Sequence, residues 1–122
     1  MGNKFEELDI YKEAHLLVIK IYKTTEKFPK SESIGLISQI RRAGVSIVAN
    51  IVEGNTRSHQ KEFIQFLYLS KGSLEEVKYY FMLSLDLKYI SKSEYEELQE
   101  QAEKVGKMLS GLIKYWKGNL RS

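Results

Sequence analysis

Cysteine is missing from all 122 residues, which removes disulfides, thiolate metal sites and a cysteine nucleophile together and suits a reducing compartment. Proline is nearly missing too: Pro29 stands alone, so little in the chain forbids long helices. Histidine occurs only as His15 and His59, and neither stands three residues after a glutamate, so the Glu-x-x-His pairs of a di-iron bundle are excluded. A glycine-rich phosphate loop, a Gly-x-Ser-x-Gly elbow and a zinc-protease histidine pair are also lacking. Ser46, Asn50 and Glu53 can be drawn as a hydrolytic group, yet no general base accompanies the serine. These absences predict a non-enzymatic protein with no metal and no cofactor.

Long apolar runs are lacking as well. Charges interrupt them every few residues, and the opening MGNKFEELD has no apolar signal core. Gly2 is not followed by the Ser or Thr that a myristoylation motif requires. The expectation is a soluble, cytoplasmic protein with no membrane attachment.

What the chain does hold is 43% apolar residues, enough at this length for one core in a single domain. Its net charge of +3, with an isoelectric point near 9.0, permits nucleic-acid binding without requiring it, and matters more when repeated over an oligomer. Apolar periodicity divides the domain into four helices, about 9–27, 32–54, 59–87 and 92–117, with no strand signal. Asp9 is placed to cap the first and Phe28-Pro29 to end it. Ser31 or Ser33 is expected to cap the second, Gly54-Asn55 to end it in the left-handed conformation, and Ser58 to cap the third. The third helix carries Phe63, Phe66, Tyr68, Tyr79, Tyr80 and Phe81 on more than one side, a surplus that predicts an interface, most simply with copies of itself. Gly72 within it predicts a bend or a close neighbour. Ser91-Lys92-Ser93-Glu94 is a capping box that opens the last helix. Short connections between four helices predict an all-α, up-down-up-down bundle.

The second helix has two unlike surfaces. Leu36, Ile40, Ala43, Ile47 and Ile51 form an apolar side that Ile37, Val45, Val48 and Val52 widen, whereas Gln39, Arg42, Ser46, Asn50, Glu53 and Arg57 fall on a narrow polar stripe. Amide, hydroxyl, guanidinium and carboxylate in one stripe suit a hydrogen-bonded structural network in a partly buried seam more than a solvated face. Arg42 is placed to pair with Glu53 or Ser46. Arg41 points about 100° away, into the apolar side, where it needs a carboxylate, an aromatic face or a path to solvent. In the last helix Tyr95, Leu98, Ala102, Val105, Leu109, Leu112 and Trp116 make a clean stripe. Its acidic residues end at Glu103, and Lys104, Lys107, Lys114, Lys117 and Arg121 follow. That order either answers the helix dipole or builds a basic rim for phosphates.

The ordered series Phe28-Pro29, Gly35-Leu36, Gln39-Ile40-Arg41-Arg42-Ala43, Ser46-Ile47, Asn50-Ile51, Glu53-Gly54, Arg57, Phe66-Leu67 and Gly72-Ser73-Leu74-Glu75 closely resembles the 23S rRNA intervening sequence proteins. It is similar also to the accessory variability determinant (Avd) protein of diversity-generating retroelements. The resemblance implies a bacterial cytoplasmic four-helix bundle that assembles as a homopentameric barrel. For the retroelement relative it implies a basic surface for nucleic acid and a reverse-transcriptase partner. The expectation for this chain is a self-associating accessory protein that binds RNA or DNA through Arg41, Arg57, Lys104, Lys107, Lys114 and Lys117. The rival expectation is a protein-interaction scaffold with no nucleic-acid contact.

Overall fold

The computed structural model describes residues 5–120, in which four α-helices follow one another: α1 (Asp9–Thr25), α2 (Leu36–Asn55), α3 (Gln60–Asp86) and α4 (Lys92–Gly118). Side-chain pairs fix their directions. Arg41 meets Thr25, Ser46 meets Ser73, and Lys78 meets Glu103 while Tyr68 meets Lys117, so each helix runs antiparallel to the next. Lys20 with Glu97 and Glu13 with Lys104 close the circle between α1 and α4. The diagonal pairs make no close backbone approach, and the result is an up-down-up-down bundle.

The stripes read from the sequence meet at the centre. Leu17 and Ile21 of α1, Ile40, Ile47 and Ile51 of α2, Leu67, Leu74, Val77 and Phe81 of α3, and Val105 and Leu109 of α4 are all at most 1% exposed. Removing the apolar area of such side chains from water, at roughly 1.5–3 kcal/mol each, is what holds a chain without disulfides in one conformation.

The helix boundaries correct several expectations. Asp9 does not cap α1: the N-cap is Leu8, and Asp9 sits in the first turn, where its charge faces the positive helix end. Neither Ser31 nor Ser33 caps α2, because a single 3₁₀ turn, Lys30–Glu32, intervenes and α2 begins at Leu36 after Gly35. Glu32 takes over the capping work by accepting a hydrogen bond from the Leu36 N–H at 3.3 Å. The N-cap of α3 is His59 instead of Ser58, again without a side-chain bond. Ser91 and Glu94 do form the full capping box of α4.

Gly54 does not serve as a left-handed stop. It is buried within α2, and a Cβ there would lie 2.7 Å from the Cβ of Phe66 and 3.0 Å from Cδ1 of Phe63, so glycine is present because α3 comes too close for anything larger. A Cβ at Gly72, by contrast, would meet nothing within 4 Å, which leaves the close-neighbour explanation without support inside one chain.

The left-handed residue is Lys88, with φ of 63° just beyond the end of α3. The Tyr89 N–H bonds the Ser84 carbonyl and the Lys88 N–H bonds that of Leu85, the two bonds of a Schellman ending in which glycine usually takes the place of Lys88. Lys88→Gly is therefore expected to raise stability by about 0.5–1 kcal/mol, read as a higher denaturant midpoint with unchanged slope. A lower midpoint would show that the lysine side chain makes an offsetting contact.

Candidate nucleic-acid interface

The polar stripe of α2 divides into three parts. Arg42 donates to the Gln39 amide oxygen at 2.8 Å, not to Glu53 or Ser46 as its spacing allowed, because the i−3 partner lies on the same exposed edge. In the middle, Asn50 donates to the Ser46 carbonyl at 2.8 Å and to Ser46 Oγ at 3.2 Å, and the Ser46 hydroxyl meets that of Ser73 at 2.8 Å. Buried Ser70 donates to the Ile47 carbonyl at 2.8 Å beside it. At the end of the stripe Arg57 pairs with Glu53 and lies over the Phe66 ring, 4.9 Å from its centroid. The centre of the stripe is thus a seam that ties α2 to α3. Ser70 carries no pattern of its own in the sequence, and Ser73 stands there only within the Gly72-Ser73-Leu74-Glu75 series, with no role in a seam attached to it. Their spacing of three, in register with buried Leu67, Leu74 and Val77, is the signal that places them facing α2.

Arg41 finds both an aromatic face and hydrogen-bond acceptors. Its guanidinium lies 4.4 Å from the Tyr22 ring centroid, Nε donates to Thr25 Oγ1 at 2.9 Å, and Nη2 donates to the Tyr22 carbonyl at 3.3 Å. The Thr25 hydroxyl in turn donates to the Ile21 carbonyl at 2.8 Å. A cation at the carbonyl end of α1 answers the negative end of that helix. Arg41 therefore locks α1 to α2, and it sits at the opposite end of the bundle from Arg57, Lys114 and Lys117. Phe28 packs on Tyr89 at this same end, with ring centroids 5.2 Å apart, and the Tyr89 hydroxyl donates to Glu32 at 2.7 Å. That bond to a carboxylate holds the Tyr89 phenol above its ordinary pKa.

The charges of α4 are used unequally along its length. In the acidic half, Glu94 pairs with Lys27, Glu97 with Lys20 at 2.7 Å, and Glu103 with Lys78 at 2.9 Å. The lysine hydrogen bonds hold the carboxyls of Glu94 and Glu103 below the usual range. Glu13 of α1 is held low as well, first by the Gln101 amide and then by Lys104, which lies 3.3 Å away. These seams engage acidic groups with lysines of neighbouring helices. In the basic half, Lys117 donates to the Tyr68 hydroxyl at 3.0 Å, while Lys107 and Lys114 are exposed and have no ion-pair partner within 4 Å among the described residues. The register set by Lys78 with Glu103 and Tyr68 with Lys117 places Lys71 of α3 across from Ser110 and Lys114. One outer face of the α3–α4 pair thus gathers Lys71, Lys107, Lys114 and Lys117 beside Tyr68. Of the six cations expected to contact phosphate, Lys107, Lys114 and Lys117 come together, Lys104 is tied to Glu13, Arg57 to Glu53, and Arg41 lies apart. Arg121 is outside the described residues.

At the end where α1 begins and α4 ends, the helices leave a cleft of about 460 Å³ lined mainly by Ile10, Phe63, Met108, Leu112 and Trp116, with Asp9 and Asn55 as its polar members. The Phe63 and Trp116 rings meet edge to face, 5.9 Å between centroids. No local motif announces this cleft, because each helix contributes one end. Among the described residues no helix is long and apolar enough to cross a membrane.

These features define a four-helix bundle whose helices are tied by polar seams and whose α3–α4 face carries a group of lysines, Lys107 and Lys114 among them exposed. The chain belongs to the 23S rRNA-intervening sequence protein family, whose model matches residues 6–111. The chain is also similar to a solved protein of unknown function from the S23 ribosomal protein family of Bacteroides thetaiotaomicron, at 24% identity and a TM-score of 0.79. That similarity covers 86% of this chain and 95% of the other, and shows the shared fold. No curated protein matches the chain.

Proposed function

We propose that this bundle is a non-enzymatic, cytoplasmic accessory protein that associates with copies of itself, as a pentamer, and binds RNA or DNA through the α3–α4 face. The observation that carries the reading is the division of α4: Glu94, Glu97 and Glu103 are engaged by Lys27, Lys20 and Lys78, while Lys107 and Lys114 are exposed, with no ion-pair partner within 4 Å among the described residues, beside Lys71 and Lys117. A positive face of this kind attracts a polyanion by releasing its counterions, and repetition around an assembly multiplies the field. Arg41 takes no part in this face because its donors are directed at α1.

Replacing Lys107 and Lys114 together by glutamate is expected to weaken binding to structured RNA and duplex DNA alike. It should also flatten the dependence of log affinity on log salt by about 2, one for each phosphate no longer neutralised. Fluorescence polarisation across salt concentrations reads both quantities. Unchanged affinity and slope would move the phosphate-binding surface elsewhere, and no binding at low salt by the unmodified protein would leave a pure protein-interaction scaffold as the reading, with a reverse transcriptase as one partner to try.

A further inference from the structure

We propose that the cleft at the open end of the bundle receives one unstacked base of a single-stranded nucleic acid. The inference rests on the reading of the α4 lysines as phosphate ligands and supplies what those lysines lack, a means of telling a single strand from a duplex. The cleft's volume of about 460 Å³ lies within the range of small-ligand sites. Its lining includes the half-buried indole of Trp116, with buried Phe63 packed edge to face on it and Met108 and Leu112 nearby, and an aromatic wall suits the π-face that every base presents. Asp9 is among the lining residues, and its carboxylate is an acceptor for amino and ring N–H donors, which guanine presents side by side and cytosine as a single amino group. Gly111 is the lining residue on the outer side of α4, and Lys107 and Lys114 lie one turn before and after it. A base entering past Gly111 would therefore carry its flanking phosphates toward the two unpaired cations. A base held in a duplex cannot make this move without being extruded.

Trp116 is the only tryptophan of the chain and lines the cleft, so its emission reports occupancy directly. The variant is Gly111→Leu. A Cβ at Gly111 meets nothing within 4 Å, so the leucine can cover the mouth without displacing a neighbour, and helix propensity rises. With the indole excited selectively, cytidine and guanosine are expected to change Trp116 emission saturably. A short cytidine-rich single strand should do so at concentrations at least about tenfold lower, because its phosphates also engage the lysines. Gly111→Leu should weaken both responses about tenfold or more while melting at the same or a higher temperature. An abasic strand of equal length should bind by polarisation and leave the emission unchanged. The proposal is overturned if nucleosides and single strands leave Trp116 silent, or if Gly111→Leu responds as the unmodified protein does. The two readings fail separately: nucleosides carry no phosphate, so their effect on Trp116 judges the cleft even if no strand is retained, and Lys107→Glu with Lys114→Glu should weaken strand binding and spare the nucleoside response.

Discussion

Gly54→Ala is expected to destabilise the bundle by about 2 kcal/mol, and Gly54→Val by about 3 kcal/mol or more, enough to lower the melting temperature by roughly 10 °C. The direction is opposite to helix propensity, which favours alanine over glycine by about 1 kcal/mol in a helix interior. The contact decides the sign. The added Cβ would stand 2.7 Å from the Cβ of Phe66, an atom fixed to the backbone of α3, so no rotamer change can yield and the two helices must separate. Two comparisons isolate this cause in thermal or denaturant melts. Gly111→Ala adds the same methyl to open space and should stabilise by up to about 1 kcal/mol. Phe66→Ala removes the ring but keeps the offending Cβ, so it should fail to rescue Gly54→Ala. If Gly54→Ala melts at or above the unmodified protein, the close approach of α2 and α3 at this point is wrong.

The second large effect concerns assembly. Ile19 and Tyr22 on α1 are 38% and 39% exposed and Val45 on α2 is 43% exposed, and together they give the α1–α2 pair an outward apolar strip. Val48 and Val52 continue it on α2, half-buried. Contiguous exposed apolar side chains of this kind mark protein–protein contacts. Ile19→Glu combined with Val45→Glu should reduce the proposed assembly to particles of 14.2 kDa while leaving each bundle folded, because neither side chain belongs to the buried core. Sedimentation equilibrium with far-ultraviolet circular dichroism reads both outcomes. An unmodified protein that is already 14.2 kDa would end the proposal of self-association, and a double variant that keeps a larger mass would place the contact on another face, with α3's exposed Tyr79 and Leu69 next in turn.

Much of the fold was legible because it is written in local periodicity. The core stripes of all four helices, the Phe28-Pro29 stop and the Ser91–Glu94 box are each specified within a few turns of chain, and each appears in the structure. The errors arose where a distant element took over a local role. Ser31 and Ser33 are reasonable caps in isolation, but the 3₁₀ turn at Lys30–Glu32 delays α2 and hands the task to Glu32, which Tyr89 also holds from across the bundle. Gly54 resembled a helix stop, yet its reason lies in the ring residues of α3. Arg41 was legible as a buried-side cation in need of a partner, while the identity of that partner, the carbonyl end of α1, needed the packing. The basic run of α4 was plain in the sequence, but which lysines are engaged depends on Glu13 of α1 and Tyr68 of α3, far from α4 in the chain. The cleft could not be read at all, for it exists only where four helix ends fail to fill the space between them.

The two ends of this bundle are built to different degrees of closure. One is fastened by the Arg41 clasp, the Phe28–Tyr89 stack, the Glu32 bridge and the Schellman turn at Lys88; the other keeps a 460 Å³ gap and the lysine-rich terminus of α4. Spontaneous breathing of the native protein should therefore begin at the gapped end, where the core is not closed over. A guest could then enter by widening an existing fault, while the fastened end keeps the four rods in register and lets the domain open without coming apart.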